Sequence, residues 1–180
     1  MNNVYIALLR GVNVGGHNKM PMADLRILLS HLGFQDVMTY IQSGNVVFKF
    51  NKVSTFKIEV QIKDAIKNHF GFEIPVIIKT ISELKSIFNH CPFPQEQKEQ
   101  SYFNILYAEP KEQDIEEISG MSYPDEDFII TKKCIYLYCK NGYGRTKFNS
   151  NFFEKKLKTI ATTRNYKTIL KLLSLSAEIN

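Results

Sequence analysis

The stretch "DVMTYIQSGNVVFKF" (Asp36–Phe50) decides the fold. Two runs rich in β-branched and aromatic residues flank Ser43-Gly44, and so short a join allows only an antiparallel hairpin. The expected connection is a two-residue Gly44-Asn45 loop. Working outward, "NVYIALLR" (Asn3–Arg10) is continuously apolar and bounded by a glycine loop, which reads as a central strand. Met22, Leu25, Leu28, Leu29 and Leu32 then recur at helical spacing, with Pro21 in a first-turn position. Gly33 supplies a left-handed stop, Phe34 folds back on the last turn, and His31 sits at the carbonyl end. Beyond the hairpin, Ile58, Ile62, Ala65, Ile66 and Phe70 form a second helical stripe. Ser54 caps it, Glu59 pairs with Lys63, and "HFGF" ends it at Gly71 and Phe72. "EIPVIIKT" closes the unit as a strand. The resulting β-α-β-β-α-β order over residues 1–80 is the ferredoxin-like split unit, an antiparallel sheet with two helices on one face.

The pattern then restarts. Residues 81–100 hold a helix, Ser82–His90, and the polar connection "CPFPQEQKEQ". Residues 101–180 hold a strand "YFNILYAEP", a helix "KEQDIEEIS", and two strands, "DFIIT" and "CIYLYC", paired around Lys132-Lys133. After the loop "KNGYGRTKFNS" come two helices, near Asn151–Lys158 and Arg164–Leu175, the latter with Tyr166, Ile169, Leu170 and Leu173 on its buried face. The predicted class is α+β: two ferredoxin-like units with antiparallel sheets, the second degenerate and followed by two C-terminal helices.

Composition narrows the class of function. With 180 residues, 44% apolar and 23% charged, the chain is ordinary for a soluble globular protein. No apolar run spans a bilayer, so no membrane partner is expected, and "MNNVYIALLRG" lacks the basic segment of a secretory leader. A cytoplasmic location is expected. Three cysteines argue against a disulfide framework. Cys134 and Cys139, five apart on one predicted strand, point to opposite faces and do not share a metal. Neither a metal nor a tightly held cofactor is expected. The net charge of +5 is polarised: Lys140–Lys171 carries nine Lys/Arg against one acid, whereas Glu109–Asp127 carries eight acids and one lysine. Such a split fits an anionic partner, or two faces that attract each other within the fold or across a homodimer.

Four stretches in order, "ALLRGVNVGGHNKMPMADLR", "YIQSGNVVF", "YGRTKFNSNFFEKKL" and "ATTRNYKTILKL", resemble the bacterial domain-of-unknown-function 1697 family over Tyr5 to about Leu172. That resemblance implies an α+β protein with ferredoxin-like units. It carries over no catalytic assignment.

The loop after the first strand holds the leading site. Gly11 to Gly16 has P-loop spacing, but His17-Asn18 stands where the phosphate-reaching lysine and the magnesium-binding hydroxyl belong, which argues against nucleotide hydrolysis. Its physics still suits an anion: glycines let backbone N–H groups turn inward, and a helix N-terminus follows. The candidate residues are Arg10, Asn13, Gly15, Gly16, His17 and Lys19. In a split unit the first strand ends where the second and third turn over, which brings Gln42, Ser43, Gly44 and Asn45 to the same rim. Arg145, Thr146 and Lys147 form a second candidate before a helix start. There Thr162 or Thr163 caps the last helix, and Arg164 in its first turn opposes the dipole, which calls for an anionic partner. Hydrolase and metalloprotease signatures are missing, and His17 is the one histidine placed for acid–base work. The expected function is binding of a small phosphorylated or carboxylated ligand, nucleotides included. The alternatives are a nucleic-acid-binding module using the basic C-terminal third, with Tyr5 or a Tyr107, Tyr136 and Tyr138 platform for stacking, and a protein-interaction or dimerisation module.

Overall fold

A computed structural model describes residues 2–180, and the chain forms two compact units: residues up to Lys85 with Leu170–Asn180, and Ser86–Ile169. The first contains β1 (Asn2–Leu9), α1 (Met22–His31), β2 (Gln35–Tyr40), β3 (Asn45–Asn51), α2 (Thr55–Phe70) and β4 (Val76–Thr80), with α3 (Ile81–Asn89) following. Its sheet runs β2-β3-β1-β4, every pair antiparallel. That order is compatible with a ferredoxin-like unit. Alternation along β1 turns Tyr5, Ala7 and Leu9 to one side, where Leu25 and Leu29 of α1 and Ile58, Ile62 and Ile66 of α2 close the core. The glycine stops work as read. Gly33 has φ +88°, and the Gly33 and Phe34 amides donate back to Ser30 and Leu29 carbonyls at 3.0 and 3.3 Å. Phe34 then stacks on Phe48 at 4.6 Å. Ser54 caps α2 through the Lys57 amide, and Lys63 pairs with Glu59 at 3.1 Å.

The second unit repeats the plan. It comprises α4 (Gln95–Glu99), β5 (Ser101–Leu106), α5 (Glu112–Ser119), β6 (Glu126–Ile130), β7 (Cys134–Cys139), a 3-10 turn (Tyr143–Arg145), α6 (Ser150–Leu157), β8 (Ala161–Asn165) and the start of α7 (Tyr166–Glu178). Its sheet runs β6-β7-β5-β8, again all antiparallel. One hydrogen bond occurs in both units: the amide closing the first strand donates to the hairpin, Leu9 to Gly44 at 2.8 Å and Leu106 to Lys133 at 3.0 Å.

Four local readings are corrected. The hairpin loop has four residues, 41–44, because Tyr40 pairs with Asn45 and the Asn45 side chain donates through Nδ2 to Tyr40 O and Ser43 Oγ. "ATTRN" is a strand, so the second unit completes all six elements, and Arg164 lies in β8 rather than in a helix. Asn165, not a threonine, caps α7 by accepting from the Thr168 amide at 2.8 Å. That start sets the phase of α7, burying Ile169, Leu172 and Ser176 and leaving Leu170 exposed. Among the described residues no helix is long and apolar enough to cross a membrane.

The charge split is answered locally. Lys158 meets Asp114 at 2.5 Å, Lys140 meets Asp125 at 3.5 Å, Lys132 meets Glu109 at 2.8 Å, and Lys156 pairs with Glu117. Lys140, Lys156 and Lys158 of the basic stretch are therefore paired with the acidic one inside the second unit, though the exposed pairs contribute little stability.

Candidate functional site

The two glycine-bearing turns of the first unit meet. The Asn13 side chain joins them: its Nδ2 donates to Met20 O and to Gln42 O, each at 2.8 Å, while its Oδ1 accepts from the Met20 amide at 2.8 Å. Asn18 closes the loop from the other side, donating through Nδ2 to Gly11 O at 2.9 Å. Inside this frame the Asn13 and His17 amides are engaged by Asn18 O and Val14 O. The exposed Gly15 and Gly16 amides donate to no such acceptor among the described residues. Half-buried Arg10 and exposed His17 and Lys19 border them.

Not every expected rim residue reaches the surface. Asn45 is fully buried and orders the turn, so it presents nothing to a ligand. Gly44 is packed against the base of the loop, where an added Cβ would lie 2.6 Å from Leu9 Cβ and 2.7 Å from Val12 Cγ2. Gln42 is exposed and Ser43 half-buried.

Left-handed backbone is concentrated here: Gly11, Asn13, Gly15, Gly16, Asn18, Ile41 and Gly44 all have φ between +48° and +79°. Ile41 is the outlier, since a β-branched residue at φ +49° is strained. Its side chain is half exposed and gains little from burial. Ile41→Gly is expected to raise unfolding free energy by about 1 kcal/mol, relief of strain exceeding glycine's entropic cost. Thermal melting checks this, and an unchanged or lower midpoint contradicts it.

The second candidate loop already holds an anion, and it is internal. Glu126 of β6 accepts from Thr146 Oγ1 at 2.6 Å, the Lys147 amide at 3.1 Å and the Phe148 amide at 3.4 Å. Thr146 is therefore an internal partner, whereas the Arg145 and Lys147 side chains are exposed. Arg164 is buried, donating to Thr162 Oγ1 at 2.9 Å and Thr163 O at 2.8 Å, and burial pulls its guanidinium pKa down to about 10. Missed from sequence is a hydroxyl network: Ser150 Oγ donates to buried Asn104 Oδ1, and Tyr143 OH lies 2.9 Å from Ser150 Oγ and 3.1 Å from Thr163 Oγ1. Asn104 Nδ2 is left without a partner among the described residues. Of the stacking candidates, Tyr5 and Tyr136 turn inward, donating to Val53 O at 3.1 Å and to Ile87 O at 2.8 Å, whereas Tyr107 is exposed and Tyr138 half-buried. Among the described residues no group of three His, Cys, Asp or Glu is placed to hold a metal ion.

The family described as "Protein of unknown function (DUF1697)" matches residues 1–136. The chain belongs to it. The matched region of this DUF1697 chain takes in all six elements of the first unit, the candidate rim included. A search among curated proteins finds no match. Among solved structures, the chain is similar to a conserved bacterial protein, SP0830 from Streptococcus pneumoniae, at 24% identity and TM-score 0.74, covering 98% of this chain and 99% of that one. This likeness extends the shared fold over both units.

Proposed function

We propose that the rim built from Arg10–Lys19 and the 41–44 turn binds a small phosphorylated or carboxylated molecule, a nucleotide being one form. The observation that carries this reading is the pair of exposed, unengaged amides at Gly15 and Gly16, on a loop staked by Asn13 to the neighbouring hairpin. Such a loop meets an anion with little further ordering, which preserves affinity. Arg10 and Lys19 supply charge, and Lys19 has no ion-pair partner among the described residues. Gln42 and Ser43 offer orienting polar groups beside them. Asp24 in the first turn of α1 is the nearest acid in sequence, and it disfavours ligands that reach deep along that helix.

A thermal-shift series with inorganic phosphate, adenosine monophosphate and citrate tests the reading. A ligand at about a hundred times its Kd is expected to raise the midpoint by about 5–10 °C. Lys19→Gln and Arg10→Gln should lose most of that rise while melting near the parent temperature without ligand. If none of the three anions shifts the parent chain, the rim is architectural only. A response to oligonucleotides that collapses steeply with added salt would instead favour nucleic acid.

A further inference from the structure

We propose that the second unit carries a separate binding site, for a phosphate monoester with a small apolar body, in the cleft between the β6–β7 turn and the last turn of α3. The cleft encloses about 320 Å³, near the lower limit of small-molecule sites. Its floor is apolar and locked: Ile87 and Tyr136 are both buried, and the Tyr136 hydroxyl donates to the Ile87 carbonyl at 2.8 Å. Burial pushes that phenol up, so it stays neutral and serves as a hydrogen-bonded wall.

The rim is cationic. Lys132 and Lys133 are neighbours on a turn that cannot open, because Thr131 and Cys134 exchange hydrogen bonds across it and the Lys133 carbonyl accepts from Leu106. Both ammonium groups are exposed, and Lys133 has no ion-pair partner among the described residues. Glu109 bridges Lys132 at 2.8 Å, and Glu112 also acts on it. That exposed bridge is weak and competes poorly with a dianion. Opposite, His90 Nδ1 lies 2.8 Å from Ser86 O. A carbonyl accepts only, so Nδ1 carries the proton and Nε2 is an acceptor, open to a hydroxyl of the ligand, with the Ser86 hydroxyl beside it. Two cations and a hydroxyl above an aromatic and aliphatic floor match a phosphate joined to a compact apolar group. Inorganic phosphate engages only the rim, and an uncharged aromatic only the floor.

Phenyl phosphate is the probe, titrated into the full-length chain by calorimetry beside inorganic phosphate and phenol. Saturable binding of phenyl phosphate is expected, at least about tenfold tighter than either fragment. The Lys132→Gln/Lys133→Gln double variant should weaken it by about tenfold or more, and His90→Gln by less. All three positions are exposed, and an unaltered melting temperature verifies that the variants fold. Lys19→Gln, at the rim of the first unit, should leave this binding intact, which separates the site from the one proposed above. No saturation up to about 10 mM, equal affinity for inorganic phosphate, indifference to the double variant, or loss in Lys19→Gln would each overturn the proposal.

Discussion

Gly44→Ala is expected to lower the unfolding free energy by on the order of 3 kcal/mol, more than a glycine-to-alanine change in an open turn does. Two costs combine. The residue stands at φ +73°, where any side chain is strained, and its new methyl would meet Leu9 Cβ at 2.6 Å and Val12 Cγ2 at 2.7 Å. Neither neighbour can yield, for Leu9 and Val12 are themselves buried in the core of the first unit. Gly11→Ala and Gly16→Ala isolate the conformational part. They have comparable φ, +71° and +79°, with nothing within 4 Å of the added carbon, so each should cost only about 1 kcal/mol. Urea denaturation of the three variants decides the matter, and equal midpoints would show that loop and hairpin do not pack as described. The clash has a second readout: because it separates the loop base from the turn, Gly44→Ala should also abolish the anion-induced thermal shift.

Glu126→Ala should cost about 2–3 kcal/mol, a charge-assisted acceptor being removed from several donors at once. The Thr146 hydroxyl and the Lys147 and Phe148 amides lose their shared partner. Phe148 is the hub of an aromatic group, with Phe128 at 4.6 Å, Phe152 at 5.3 Å and Tyr123 at 5.4 Å, so loosening of the loop reaches the core. Glu126→Gln keeps an acceptor oxygen and should lose only about 1 kcal/mol. Denaturant melts of both variants test the order. Should the alanine variant match the parent, Glu126 is an idle surface acid.

Where local chemistry governs, the fold was legible. Gly33 and Gly71 stop helices because glycine alone takes a left-handed backbone without strain, and the apolar stripes of α1 and α2 face the core as their spacing requires. Readings failed where a partner remote in sequence decides. "ATTRN" offers two threonines that read equally well as caps or as strand residues, and only pairing with β5, some 60 residues earlier, makes it a strand. Asn45 looked like half of a tight turn, yet its side chain bonds back to Tyr40 and Ser43 and lengthens the loop. At the candidate rim, the meeting of the two turns followed from topology, whereas the inward direction of Gly44 and Asn45 did not. In the second loop the residue types announced an anion, but nothing near Thr146 in the chain names Glu126 as that anion.

The bonds from Leu9 to Gly44 and from Leu106 to Lys133 are one joint made twice. Its occupants impose opposite demands: the earlier joint has no room for even a methyl, while the later one carries a long amine into solvent. The two halves are therefore not interchangeable parts. A chimera that grafts the later hairpin onto the earlier scaffold would drive a lysine stem into Leu9 and Val12. Each copy must be engineered, or mutated, on its own terms.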